Sequence, residues 1–205
     1  MHINKRRQHI HRSLIALGVG AALVATITIS SAVEANGGKA RTTFVDAAGD
    51  EIGAVKFHTD RDGTDVKVTL RAGNSFATAF HGFHIHANTD GAACAADATQ
   101  PASTWFTAVG GHWKAGSQTH GQHLGDLPSL FVNADGSATA RFTIDKIAVA
   151  DLAGKAVIVH AGADNFGNIP QGAALDQYTA NDAVAVTKTQ NTGNAGDRIA
   201  CGVIR

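Results

Sequence analysis

From residue 54 to the C-terminus, short runs of alternating apolar and polar residues recur between Gly-rich turns, and helix-like periodicity is scarce. Successive side chains of a strand point to opposite faces, so such runs bury one face only by pairing and stacking with others. Residues 54–59 and 65–71 make one such pair, with Asp62-Gly63 between them as a hairpin turn signal. Residues 130–133 and 137–144 repeat the pattern across Asp135-Gly136, and residues 83–86, 156–160 and 199–204 are shorter apolar runs. Many short strands with Gly-rich turns predict an all-β sandwich or barrel. Two stretches, residues 88–122 and 161–197, resist the pattern. Loops longer than ~15 residues are uncommon in compact domains and are usually functional or disordered. Both adjoin histidines.

The N-terminus reads differently. Lys5, Arg6, Arg7 and Arg12 precede an uncharged apolar run of residues 14–29, followed by Ser30, Ser31, Ala32 and then Val33-Glu34-Ala35. That order predicts a cleaved secretory signal over residues 1–35, with cleavage after Ala32 or Ala35. The apolar run is short for the ~20 residues of a membrane-spanning helix, which weighs against a retained anchor. Residues 36–41 are expected to be a loose segment and residues 42–205 a single domain. The protein is therefore expected to be exported, to the periplasm or cell envelope or to the exterior. Of the 17 basic and 17 acidic residues, four basic and one acidic lie in the first 35. The remaining 13 and 16 leave a net charge of −3, which points to no nucleic acid and no membrane as a partner of the mature form. The two cysteines, Cys94 and Cys201, form an even pair in an exported chain, and a disulfide is the expectation.

Eleven histidines are many for this length, and His2, His9 and His11 fall in the signal. His84 and His86 flank Ile85, so on a strand both imidazoles face one side and can share a metal. His81 lies just upstream as a supporting residue. A second group is His112, His120, His123 and Asp126; three nitrogens and one carboxylate suit a closed tetrahedral zinc site. His160 ends the apolar run Val157-Ile158-Val159, where a buried strand meets a loop. His58 is expected on an exposed strand face, and Trp105 and Trp113 in packing roles.

Taken together, Gly82-Phe83-His84-Ile85-His86, Gly111-His112, His123-Leu124-Gly125-Asp126-Leu127, Val159-His160 and the block from Gly193 to Ile204 resemble the copper–zinc superoxide dismutase family over residues 42–205. The resemblance implies an eight-stranded Greek-key β-barrel or sandwich with two long functional loops. It implies copper held by His84, His86, His112 and His160, and zinc held by His112, His120, His123 and Asp126, with His112 shared. Asp164 would orient one histidine of each site, Arg198 would guide the superoxide anion, and Cys94–Cys201 would be the intrachain disulfide. The implied activity is dismutation of superoxide to dioxygen and hydrogen peroxide, with Arg198 and His112 as catalytic residues. A homodimer is compatible with this resemblance.

The chain departs from the family in three places. His120 and His123 are closer in sequence than usual, Trp113-Lys114-Ala115-Gly116 lacks the common proline, and the loop before Arg198 carries extra sequence near residues 173–188. That loop sets Asp176 and Asp182 against Lys188, so weaker electrostatic steering is expected. The main alternative is an exported copper- and zinc-binding module without dismutase activity, which would have no use for Arg198. A three-histidine zinc enzyme would leave His120, His123, Asp126 and Arg198 without a role.

Overall fold

The computed structural model describes residues 38–171 and 182–205. The expected export signal, Asn36 and Asp176 lie outside the described residues. Among those described, no helix is long and apolar enough to cross a membrane.

Among the described residues, nine strands carry the fold: β1 (Lys39–Val45), β2 (Glu51–Asp60), β3 (Gly63–Leu70), β4 (Phe80–His81), β5 (Phe83–His86), β6 (Leu130–Phe131), β7 (Ala138–Ile144), β8 (Ala156–His160) and β9 (Arg198–Val203). Seven of them form one antiparallel sheet in the order β5-β8-β9-β1-β2-β3-β7, curled into a half-barrel, while β4 and β6 pair separately. Only Gly82 separates β4 from β5. Its N–H donates to Gly162 O and its carbonyl accepts from His160 N. A Cβ there would meet the Ala195 side chain at 2.6 Å, so no larger residue fits where the strand changes partners. Counted as one bent strand, β4 and β5 bring the total to the expected eight. β7 pairs with β3, but its successor β8 lies across the barrel between β5 and β9, a Greek-key crossing.

The alternation read from the sequence is the burial pattern found. Val55 and Phe57 of β2, Val66 and Val68 of β3, and Phe83 and Ile85 of β5 are buried in one core with Phe44, Val157 and Val159. β8 is buried at all five positions. Val157 and Val159 face the barrel core, whereas Ala156 and Ile158 pack under the long loop against Phe106, Val109 and Cys201. A strand covered on both faces reads as a continuous apolar run, which is what Val157-Ile158-Val159 is. Cys94 and Cys201 are bonded, with Cα atoms 5.5 Å apart and a sequence separation of 107. In the chain-entropy account, closing a loop of that size stabilises the fold by about 4–5 kcal/mol.

Three local expectations need correction. Lys39, Ala40 and Arg41 are not a loose segment but pair with His58, Phe57 and Lys56 in β1. The first hairpin turns one residue earlier than Asp62-Gly63: Arg61 and Asp62 form the loop, and Gly63 pairs with Asp60. Gly63 has φ +137°, and a Cβ would strike the Ile144 carbonyl oxygen, so glycine serves the close approach of β7. Finally, the loop before β9 contains a helix, α1 (Ala183–Thr192). Asp182 caps it by accepting from Ala185 N at 2.6 Å, and Gly193 ends it in the left-handed conformation. Its apolar residues make no clear stripe, so periodicity did not reveal it.

Candidate metal centre

The strand period places His84 and His86 on the side of β5 opposite Phe83 and Ile85, which enter the core. His160 ends β8, the neighbouring strand, at a register shift after Val159. Isolated bridges then set His112 opposite His86 and Asp126 opposite His84, so two loop segments are pinned beside β5. All seven predicted metal-ligand residues come together, and each is buried.

Two donor sets result. In the first, one ring nitrogen each from His84, His86, His112 and His160 lies within 4.8 Å of the others. The outer nitrogens are committed: His84 Nε2 donates to Asp164 Oδ2 at 2.7 Å, His86 Nδ1 to Gly110 O at 2.8 Å and His160 Nδ1 to Gly196 O at 3.0 Å. The other nitrogens, His84 Nδ1 and Nε2 of His86, His112 and His160, are buried and have no hydrogen-bond partner. Buried polar atoms normally find a partner. Four that converge without one fit a cation.

In the second set, Asp126 Oδ1 lies 3.1 Å from His112 Nδ1, 3.3 Å from His120 Nδ1 and 3.3 Å from His123 Nδ1, and the Nδ1 atoms of His123 and His112 are 3.4 Å apart. Four ligands bound tetrahedrally at ~2.0–2.1 Å stand about 3.3–3.4 Å from one another. These four spacings match the edges of such a tetrahedron. His84 also lies within 4.8 Å of His112, His120 and Asp126, while His123 Nδ1 meets the set at Asp126 and His112. The short step from His120 to His123 is accommodated because Asp126 Oδ2 caps the loop, accepting from Gly121 N at 2.6 Å and His123 N at 3.0 Å.

The charges agree with this division. Burial, followed by neighbouring histidines, holds His86 and His160 well below the ordinary histidine range. Burial also brings His112 down to about 4, partly offset by Asp126. Burial pulls His120 down as well, but Asp126 and Asp164 outweigh it and raise His120 to about 9. For Asp126, burial is outweighed by hydrogen bonds from His112 and His120, which hold its carboxyl far below the usual range. Asp164 is lowered to about 2 for the same reason, through His120 and His84. Its side chain is fully buried and spans the two sets, with Oδ1 2.7 Å from His120 Nε2 and Oδ2 on His84.

Arg198 donates from Nη1 to Phe106 O at 2.6 Å and from Nη2 to Gly110 O at 2.7 Å. Gly110 O is also the acceptor for His86, so one carbonyl aligns the guanidinium with the first donor set. His81 has its ring nitrogens 2.7 Å from His160 O and 2.9 Å from Ala77 O, a supporting position as expected. The sequence did not point to Lys146, whose ammonium donates to His123 O at 2.6 Å and Asp126 O at 3.0 Å. Nor did it point to Gln190, whose carbonyl at the end of α1 accepts from His120 N at 2.7 Å, or to Phe166, whose ring stacks on His120. Contacts to backbone carbonyls from 20 or more residues away leave no local signature.

A curled antiparallel β-sheet that carries two metal-donor sets sharing one histidine defines a binuclear β-barrel metalloprotein. The particular family follows from comparison with known proteins. The chain belongs to the copper/zinc superoxide dismutase (SODC) family, whose pattern it matches over residues 51–204. It is 37% identical over 161 residues to the superoxide dismutase [Cu-Zn] of Mycolicibacterium paratuberculosis, covering 76% of this chain and 69% of that protein. It is 34% identical over 178 residues to that of Mycobacterium tuberculosis, covering 83% and 72%. The fold is similar to the Cu/Zn superoxide dismutase from Brucella abortus, with a TM-score of 0.58 and 26% identity over 82% of this chain and 99% of that one. The histidine clusters fit the copper and zinc of the family.

Proposed function

We propose that this chain dismutates superoxide to dioxygen and hydrogen peroxide, with copper held by His84, His86, His112 and His160 and zinc by His112, His120, His123 and Asp126. The observation that carries the reading is His112, whose Nδ1 belongs to one donor set while its buried Nε2 turns to the other. When bound, copper would supply one-electron exchange with superoxide. The chain's residues do the rest. Arg198, anchored by two carbonyls, presents its charge beside His86 and His160 to attract and orient the anion. His112 Nε2 is buried and has no hydrogen-bond partner, so it is placed to hold a proton for a peroxide leaving the site. Asp164 keeps His84 and His120 in one tautomer and orientation, which is how outer carboxylates tune metal sites.

The same reading assigns residues 1–35 to a cleaved export signal and puts the mature enzyme in the periplasm, cell envelope or exterior; the Cys94–Cys201 bond supports an oxidising compartment. The domain then begins at Lys39 with β1 rather than at residue 42. For a homodimer, the exposed edge-to-face pair Phe80 and Phe131 offers apolar surface, and sedimentation velocity tests it.

The deciding experiment loads residues 36–205 with copper and zinc and measures bound metal and dismutation on one sample. One copper and one zinc per chain with fast, cyanide-sensitive turnover is expected. Tight metal binding without turnover would overturn the enzyme reading in favour of a metal-binding module. Arg198→Ile is expected to lower turnover partially and to flatten its dependence on ionic strength.

A further inference from the structure

The net charge of −3 after residue 35 conceals a segregated surface. Strand register sets Arg41 opposite Lys56, Lys56 opposite Lys67, and Lys67 opposite Arg141, across β1, β2, β3 and β7. Arg205 extends the row beyond Arg41, with which it exchanges both backbone hydrogen bonds at 2.9 Å. All five side chains are exposed, on the outer face of the sheet opposite Phe44, Val55, Phe57, Val66 and Val68. Five cations thus stand in one line across five neighbouring chain segments, about 4.8 Å apart and about 19 Å from end to end.

Such a line is unfavourable by itself, since like charges directly opposite on a sheet destabilise it. The spacing is also shorter than the ~8 Å over which physiological salt screens charge. Acidic residues neutralise it only in part. Among the described residues, Arg141 pairs with Asp65 at 2.9 Å, while Arg41, Lys56, Lys67 and Arg205 have no carboxylate within 4.0 Å. Glu51 is turned to Arg71 instead, at 3.6 Å.

The shape of the surface narrows the partner. Arg41, Lys56 and Arg205 line a groove of about 800 Å³ whose other wall is residues 91–94 of the disulfide-bonded loop. A groove admits a chain and excludes a flat bilayer. No large apolar side chain on this row could insert into lipid: it is flanked by Thr43, Thr69 and Thr139 on one side and by Lys39, His58, Asp65 and Thr143 on the other. Arginine forks match carboxylates, and lysines add point charges along the line.

We propose that this stripe binds an extended acidic polysaccharide bearing one carboxylate per sugar, laid across the strands and into the groove. Its repeat, one charge per sugar ring, is close to the strand separation. The binding would retain the protein on an anionic matrix while the metal centre, carried by β5, β8 and their loops, stays free to work. This inference does not depend on the enzymatic reading.

The test uses the metal-loaded protein and immobilised polygalacturonate, with dextran as the neutral control. Retention that weakens progressively as ionic strength rises is expected. The double variant Lys56→Gln/Lys67→Gln should bind at least about 10-fold more weakly, with the salt-dependence slope reduced by about one per cation removed. Its dismutation and thermal unfolding should be unchanged or, for unfolding, slightly improved. The control Lys114→Gln/Lys188→Gln, off the stripe, should bind as the parent does. Absence of retention on polygalacturonate at low salt, or equal retention of the stripe variant, would overturn the proposal. So would preferential binding to phosphatidylglycerol vesicles or to duplex DNA, either of which would assign the stripe to another partner.

Discussion

His84, His86 and His160 sit on adjacent strands of one sheet, whereas His120, His123 and Asp126 share seven residues of loop. The strand-borne donors are aimed by backbone register alone: the period of two orients His84 with His86, and β5–β8 pairing brings His160 alongside. Their outer nitrogens need one acceptor each. The loop-borne donors have less of that lattice: one bridge sets Asp126 opposite His84, and none holds His120 or His123. Their geometry rests on Asp126 Oδ2 capping the loop, Lys146 clamping the carbonyls of His123 and Asp126, and the end of α1 holding His120. A site on strands is rigid because the sheet is; a site on a loop is rigid only as far as its hydrogen bonds make it so. Asp164 and the shared His112 tie the two together.

That contrast can be broken most severely on the strand side. His160→Ala is expected to cut dismutation by more than about 100-fold with the fold intact, because no neighbour can replace a strand-aimed nitrogen. Copper content and turnover on the same sample check it; wild-type turnover in the copper-loaded variant would remove His160 from the site. Asp164→Asn attacks the tie itself. Zinc affinity should fall about 10–100-fold in a chelator competition, with a smaller loss for copper, since His84 keeps its strand and His120 loses the carboxylate on its outer nitrogen.

Lys146→Met sharpens the contrast further. It removes the clamp and leaves the strands untouched, so zinc affinity should drop by roughly 10-fold while copper affinity holds. The absorption bands of cobalt placed in the zinc site should lose their tetrahedral signature, and Lys146→Arg should restore part of it. Equal weakening of both metals would mean that the two halves are not independent.

The smallest effect is the pH dependence of the metal-free protein. His120, raised from 6.5 to about 9, contributes stability that is complete below 6.5 and lost as pH rises through 9. His112, lowered from 6.5 to about 4, acts in the opposite sense: between those values the unfolded chain binds a proton that the folded chain refuses, so stability falls as pH drops. His86 and His160 add to that acid-side loss. Denaturant unfolding of the metal-free protein should show a maximum near pH 6.5. A monotonic rise to pH 9 would show that His120 does not gain its charge from the two carboxylates.

What was legible beforehand divides along the same line. Residues 54–59, 65–71 and 137–144 alternate because one face of the sheet is buried and the other wet. Val157-Ile158-Val159 does not alternate because the loop held by Cys94 covers its second face. The helix α1 was hidden by its lack of an apolar stripe, and β1 began earlier than its polar start suggested, because the pairing of Lys39 with His58 is a property of the partner strand. Gly63 marked a turn, though its own place is the first step of β3.

By itself, the order of residues determined the all-β class, the shared face of His84 and His86, the donor chemistry of His112, His120, His123, Asp126 and His160, and an even pair of cysteines. Those are local facts: periodicity, residue type and count. Tertiary structure alone decided the 3.1–3.4 Å edges of the second donor set, the place of Asp164 between the two sets, the anchoring of Arg198 and the clamp of Lys146. It also decided the line of Arg205, Arg41, Lys56, Lys67 and Arg141, five cations scattered along the chain. Each depends on which segments lie side by side, and strand register and loop closure settle that across distances no local pattern spans.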